Sequence, residues 1–255
     1  MKASAFGKWA QQHRLEAHVV LPAIMSLILI GMYFSGQPYL QNLIAPTMES
    51  MPLFSSREFG LLEMLQNILL LYICFLAIRC FLAASSLPVK LFALMLTLLA
   101  AFTLVEEVDY GTHFVEYFSG EHGSLSAEGW DRNWHNKTGP GGVQNVSYMK
   151  MAINFAILTG FILGPLLLGN SKNALIRVLV PSKWMIATVL LIVLLSQFAH
   201  WLDDGGYAEI AGTAGNLEKN ISEFRELNMY YLLLLYTALL NVRIVSRARP
   251  PTPHP

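Results

Sequence analysis

Six long apolar stretches alternate with polar connections along this 255-residue chain. A helix needs roughly 20 apolar residues to cross a bilayer, and each stretch reaches about that length. The pattern predicts an all-α, polytopic membrane helix bundle with about six transmembrane helices in a single domain, residues 1–245. We expect the spans at about residues 17–35, 60–84, 88–107, 149–169, 182–203 and 221–243.

The composition agrees with a membrane protein. Hydrophobic residues make up 54% of the chain and charged residues only 13%, whereas soluble domains carry about 25% charged residues. No basic tract suits nucleic acid, so we expect membrane lipids and no nucleic acid as partners. The tail at 246–255 is rich in proline and arginine, and we expect it to be disordered.

Charges are sorted by the ends of the spans. One side holds 11 of the 17 basic residues and the other holds 16 of the 17 acidic residues, leaving only Glu16 behind. Because Lys and Arg stay on the cytoplasmic side, both termini should be cytoplasmic. The outer side then carries the longest polar loop, residues 110–148, and a connection at 205–219 that is small and flexible by composition. A bacterial inner membrane with a periplasmic outer face is the expected location.

Three outer helix ends carry acidic or histidine residues at spacings that place them on one helix face. They are Glu106, Glu107, Asp109 and His113 after the third span, His200, Asp203 and Asp204 after the fifth, and Glu223 and Glu226 at the start of the sixth. Glu223 follows Asn220 as a capping residue would. Carboxylates after the third and fifth spans lie at the unfavourable end of a helix dipole. A bound cation, or a basic residue such as Arg225, should therefore offset them.

Histidines among these carboxylates favour a metal. His135 in the long loop and His200 are the best imidazole candidates, with Asp203 and Asp204 as further ligands. Carboxylate and imidazole together suit a divalent ion, with zinc the expected one. We expect Glu106, Glu107 and Glu226 to provide the catalytic carboxylates.

The motifs "EEVDYGTHF", "DRNWHN" and "SEFRELNMYY" together resemble those of a group of poorly characterised bacterial multi-pass membrane proteins. The matching residues are Glu106, Glu107, Gly111, Asn133, His135, Asn136, Glu223 and Glu226. The resemblance covers roughly residues 106–236 and implies a common polar site at the outer surface. It implies no particular reaction.

Two functions remain open. In one, the outer site holds a metal that activates water to hydrolyse a lipid, a lipid-linked molecule or a peptide. In the other, the same acidic residues bind or pass a cation or proton, or receive a membrane protein partner, without catalysis. Transport across the membrane is disfavoured because no acidic residue lies at the middle of a span.

Overall fold

The computed structural model of the protein describes residues 2–48, 56–108, 111–120, 145–218 and 220–247. These residues form helices and the loops between them, with one isolated β-bridge between Ile210 and Thr213. The long helices are α2 (Glu16–Tyr33), α4 (Leu61–Ala83), α5 (Leu87–Glu107), α7 (Asn145–Ala156 continued by Ile157–Leu163 and Gly164–Leu168), α9 (Trp184–Asp204) and α10 (Glu223–Arg247). The short helices are α1 (Ala5–Gln12), α3 (Pro38–Ile44), α6 (Thr112–Ser119) and α8 (Ala174–Leu179).

The prediction of an all-helical bundle with six spans is confirmed for the described residues. Six helices there are long and apolar enough to cross a membrane, and their bounds lie within a few residues of the expected ones. Large apolar side chains on them face outward, such as Leu71, Leu98 and Leu167. Such exposure would be unfavourable in water and suits contact with lipid. The chain is therefore a multi-pass membrane protein.

Helix α10 forms the centre of the bundle. In its apolar window 72% of the residues are buried, against 22% for α5 and 6% for α7. It packs against α1, α2, α4, α8 and α9. Its buried polar side chains bond within the protein, as when Asn228 Oδ1 accepts from Ser26 Oγ at 2.9 Å. A central position explains why the least apolar of the six spans can lie in the membrane, since its polar groups meet protein instead of lipid.

The end of the bundle that carries the basic residues brings the described chain ends together. The backbone N–H of Ser4 donates to Asn241 Oδ1 at 3.0 Å, and Ser4 Oγ accepts from the N–H of Gly7. A Cβ on Gly7 would lie 2.3 Å from the carbonyl oxygen of Ala238. Only glycine therefore lets α1 lie this close to α10.

The acidic end is covered by two packed connections, which differs from the flexibility expected for residues 205–219. Gln41 on α3 donates to the carbonyl of Ala208 at 2.8 Å, and Tyr33 Oη accepts from the N–H of Leu217 at 2.9 Å. Asn216 donates to Asn42 Oδ1 and to the carbonyl of Ala45. Buried side chains and interhelical hydrogen bonds thus order a segment whose composition alone is typical of a mobile loop.

Some expectations fall outside the described residues. Of the outer loop at 110–148, the structure describes 111–120, which include α6, and the start of α7 from residue 145. Of the tail at 246–255, it describes only residues 246 and 247. The expected disorder of the tail therefore stays a prediction.

Candidate functional site

Three helix ends bring four glutamates together at the acidic end of the bundle. Glu63 lies in the first turn of α4, Glu107 ends α5, and Glu223 and Glu226 lie in the first turns of α10. We call these four residues the glutamate cluster. The charges of Glu223 and Glu107 act on both Glu63 and Glu226, so the four carboxylates share one electrostatic environment.

Burial makes this environment costly for a carboxylate. The side chain of Glu63 is only 3% exposed, and it lies within α4 where apolar residues precede and follow it. Removing a charge from water costs several kcal/mol unless it is paired or hydrogen-bonded. The cluster is thus a place where the fold concentrates carboxyl groups although burial disfavours their charged form.

Neutral donors from neighbouring helices orient two of the carboxylates. Gln66 Nε2 donates to Glu223 Oε2 at 3.2 Å and to the backbone carbonyl of Glu223 at 3.1 Å. Tyr230 Oη donates to Glu107 Oε1 at 2.6 Å. These bonds connect α4 with α10 and α10 with α5. They hold the carboxylates in place without neutralising them.

Basic residues lie nearby, yet their described contacts go elsewhere. Lys150 and Arg225 act electrostatically on Glu226, and Arg57 acts on Glu63. Arg225 donates to Asn154 Oδ1 on α7. Among the described residues, ion pairs join only His13 to Glu16 and Arg57 to Glu58. Within the described part of the chain, Glu63, Glu223 and Glu226 therefore have neighbouring cations but no direct ion pair.

Two further acceptors line the same part of α4. Gln66 is fully buried, and its Oε1 has no hydrogen-bond partner among the described residues. The same holds for Asn67 Oδ1, and helical spacing places Asn67 on the face of Glu63. Buried acceptors in native proteins are nearly always satisfied. An excess of buried oxygen acceptors is the arrangement expected where a cation or a hydrogen-bond donor binds.

The other predicted residues after the third span have different outcomes. Glu106 is buried at the end of α5, 4% exposed, and the backbone of His113 lies in α6. Asp109, Asn133, His135 and Asn136 lie outside the described residues. The imidazole expected from the long loop therefore stays a prediction.

The acidic residues at the end of α9 have different charged neighbours from those of the cluster. Asp203 is influenced by Asp204 and His200 beside it, and its charge acts on Tyr33 of α2. Asp204 is exposed. Among the described residues, the charges that act on Glu63 and Glu226 come from α5, α7, α10 and the segment before α4, and none comes from α9. The structure therefore groups Glu107 with Glu223 and Glu226, and leaves the α9 residues in a second group.

Three residues of the site were not among those selected from the sequence: Glu63, Gln66 and Tyr230. The signal was present in part. Glu63, Gln66 and Asn67 follow i, i+3, i+4 spacing in an otherwise apolar span, and Tyr230 lies one turn after Glu226. Helical spacing shows that such residues share a face. It does not show that the face is turned towards other carboxylates.

The described residues contain no group of three or more His, Cys, Asp or Glu side chains arranged to hold a metal ion. A metal at the glutamate cluster would need an inward movement of the carboxylates or ligands from outside the described part. The chemistry available is that of oxygens: carboxylates that accept protons or coordinate hard cations, and a phenol that donates.

Comparison with known proteins finds no similar one: the sequence matches no protein family, no curated protein and no solved structure. The resemblance to the bacterial multi-pass group stays an expectation drawn from its motif residues. What the site does must therefore be argued from its own residues. The described part of the chain is that of a helical membrane protein with six candidate spans.

Proposed function

We propose that the protein is a metal-dependent hydrolase of the bacterial inner membrane. The glutamate cluster would face the periplasm and bind a divalent cation. The substrate would be a lipid, a lipid-linked molecule or a peptide that reaches the cluster from the outer leaflet or from the periplasm. The segregation of 11 basic and 16 acidic residues supports the orientation, since Lys and Arg favour the cytoplasmic side.

The observation that carries the proposal is the excess of buried acceptors. Glu63 is buried without an ion pair among the described residues, and Gln66 Oε1 beside it has no partner there. An ionisable group at membrane depth is a functional candidate by default because it costs stability. A cation would satisfy the oxygens of both side chains at once.

Each residue then has a chemical role. Glu63 and Glu226 hold the cation, and Glu107, oriented by Tyr230, acts as the general base. When bound, the cation would supply the Lewis acidity that makes water a better nucleophile. Glu107 would accept the proton of the attacking water as its oxygen bonds to the carbonyl or phosphoryl centre, and would pass that proton to the oxygen or nitrogen that leaves as its bond to this centre breaks. Glu106 is the second carboxylate that can exchange this proton.

The atoms that could coordinate a metal in the cluster determine which cation it would bind. The possible metal ligands of the cluster are all oxygen atoms, which suit magnesium, manganese or calcium. They belong to Glu63, Glu107, Glu223, Glu226 and Gln66. Zinc, the ion expected from the sequence, prefers at least one imidazole. His135 is the candidate imidazole, so zinc binding rests on that residue approaching the cluster.

A non-catalytic role is the second candidate. The same oxygens can bind a cation in a membrane binding or assembly subunit. Conduction of a cation or proton through the bundle fits less well. Deeper polar side chains of α10 are already engaged, as Tyr231 Oη is with the carbonyl of Ala17 at 2.6 Å and Thr237 Oγ1 is with that of Leu233 at 2.8 Å.

Metal content of the purified protein tests the proposal first. We expect near-stoichiometric divalent metal in the wild type by plasma mass spectrometry. We expect loss of that metal in Glu226→Gln, because the amide keeps the size of the side chain and removes the charge. Asp204→Asn makes the same chemical change at the exposed end of α9 and should keep the metal.

Hydrolysis assays with lipid and peptide substrates then separate the two candidates. Turnover that needs the metal and is lost in Glu107→Gln supports the hydrolase. Bound metal with no turnover of either class supports the binding subunit. Wild type that is well folded but free of metal, even after incubation with magnesium, manganese or zinc, would overturn the metal site.

A further inference from the structure

A cavity of about 360 Å³ lies at the opposite end of the bundle from the glutamate cluster. It is formed by α1, the starts of α2 and α9, and the end of α10. Its polar lining residues are Gln11, Arg14, His18, Ser182, Lys183 and Arg243. We call it the basic cavity, because three of these side chains are permanently cationic and none of the described lining residues is acidic.

The positive charge of the basic cavity is not balanced by neighbouring carboxylates. Glu16 is the only acidic residue on this side of the predicted spans, and it pairs with His13 at 3.6 Å. The described residues offer no ion pair to Arg14, Lys183 or Arg243. Three cations around one cavity attract an anion that bears more than one oxygen.

The start of α9 adds donors to the same cavity. This 21-residue helix begins at Trp184, and the preceding Lys183 provides no side-chain cap. The N–H groups of Met185 and Ile186 donate to the carbonyls of Ser182 and Lys183. Ser182 Oγ is buried and has no hydrogen-bond partner among the described residues. Helix N-termini favour anions through their partial positive charge and their free N–H groups. The Ser182 hydroxyl can therefore donate to the anion that the cations attract, and the partial positive charge at the start of α9 favours that anion.

The cavity wall is fixed by bonds that do not involve a ligand. Arg243 donates to the carbonyls of Val178 and Val180, which holds the α8–α9 connection against α10. His18 Nδ1 lies 3.1 Å from Thr188 Oγ1, which itself donates to the backbone carbonyl of His18. The Thr188 hydroxyl has one hydrogen, so His18 Nδ1 is the donor of that pair. A site built before ligand arrives loses less entropy on binding.

We propose that the basic cavity binds the phosphate group of an anionic molecule, foremost the headgroup of an anionic phospholipid. The cavity lies where apolar spans end, and Trp184 at its edge is 40% exposed. Tryptophan at such a position lies at headgroup level. Basic pockets between helix ends on the cytoplasmic side are suited to anionic headgroups. The site is independent of the glutamate cluster and of any reaction there.

Native mass spectrometry of the full chain in detergent tests the proposal, with added phosphatidylglycerol, phosphatidylcholine or inorganic phosphate. The variant is Arg14→Gln with Lys183→Gln, which spares Arg243 because that residue also supports the wall. One Lys or Arg beside an anionic headgroup contributes about fivefold in affinity, so two should contribute about thirtyfold. The control, Lys8→Gln with Lys172→Gln, removes two charges from the same end outside the cavity. We expect it to change affinity less than threefold.

Comparison of the three added ligands distinguishes a lipid headgroup from a soluble phosphate. Preference for phosphatidylglycerol over phosphatidylcholine that is lost only in the cavity variant supports the lipid headgroup. Binding of inorganic phosphate with the same dependence on Arg14 and Lys183 also supports the site and assigns it to soluble phosphates. Equal binding of the two lipids would overturn the proposal, because the cations of the cavity would then not select an anionic headgroup. An equal loss in the control would also overturn it, because surface charge alone would then attract the anion.

Discussion

Two acidic helix ends at the same side of the bundle have opposite surroundings. Glu63 of the glutamate cluster is buried among α4, α5 and α10, whereas Asp204 at the end of α9 is exposed. Gln66 and Tyr230 donate to the cluster, while the charges that act on Asp203 come from its own neighbours Asp204 and His200.

The difference teaches where an acidic residue needs a functional explanation. A carboxylate that water reaches costs little, even at the unfavourable end of a helix dipole. A carboxylate buried beside three others lowers the stability of the fold much more, so its presence calls for a compensating interaction or a function. The glutamate cluster meets this condition and the α9 end does not.

The largest expected contrast concerns the metal proposed for the cluster. Replacing Tyr230 by Phe removes the hydroxyl that donates to Glu107 and leaves the ring in place. Groups that orient the side chains around a metal site typically contribute 10- to 100-fold to metal affinity or to activity. Because Glu107 is the proposed general base, we expect the rate of metal-dependent hydrolysis to fall by at least about tenfold.

Tyr231→Phe provides the matched control for this measurement. It removes a hydroxyl from the adjacent residue, where the bond goes to the carbonyl of Ala17 in α2, away from the cluster. Its rate of hydrolysis should stay within about twofold of the wild type. Equal losses in both variants would mean that the hydroxyls act only through the packing of α10.

A smaller contrast concerns stability. Gln66→Met keeps the volume of the side chain but removes both donations to Glu223. Hydrogen bonds to charged groups contribute about 1.5–3 kcal/mol, so the free energy of unfolding should fall by about 2 kcal/mol. Denaturation in mixed micelles measures it. Gln197→Met, at an exposed position on α9, should change stability by less than about 0.5 kcal/mol. Similar values for the two variants would remove the distinction between the cluster and the α9 end.

The spans could be predicted from the sequence because the length of an apolar stretch is a local property. The third span was expected at 88–107 and is Leu87–Glu107, and the fifth was expected at 182–203 and is Trp184–Asp204. Helical spacing alone also places Glu223 and Glu226 on one face, which is why the sequence could pair them.

The sequence could not predict which acidic residues share one site, because this depends on which helix ends pack against each other. The sequence places all three acidic ends on one side of the membrane and gives no order of packing around α10. His200 and Asp203 were therefore grouped with Glu107. Glu63 was left out because a single carboxylate in an apolar span shows its depth and not its neighbours. Tyr230 lies on α10 and its partner on α5, so their hydrogen bond follows only from tertiary packing.

The smallest expected effect tests whether the cluster exists at the expense of stability. Glu63 is buried among the charges of Glu223, Glu58 and Glu107, and Glu63→Gln keeps its shape without the charge. In the presence of a chelator we expect this variant to be more stable by about 1 kcal/mol, a rise in Tm of about 2–4 °C. Asp204→Asn should leave Tm unchanged, because water already solvates that carboxylate. A lower Tm in Glu63→Gln would show that the carboxylate stabilises the bundle. The glutamate cluster would then be a structural network instead of a site maintained for function.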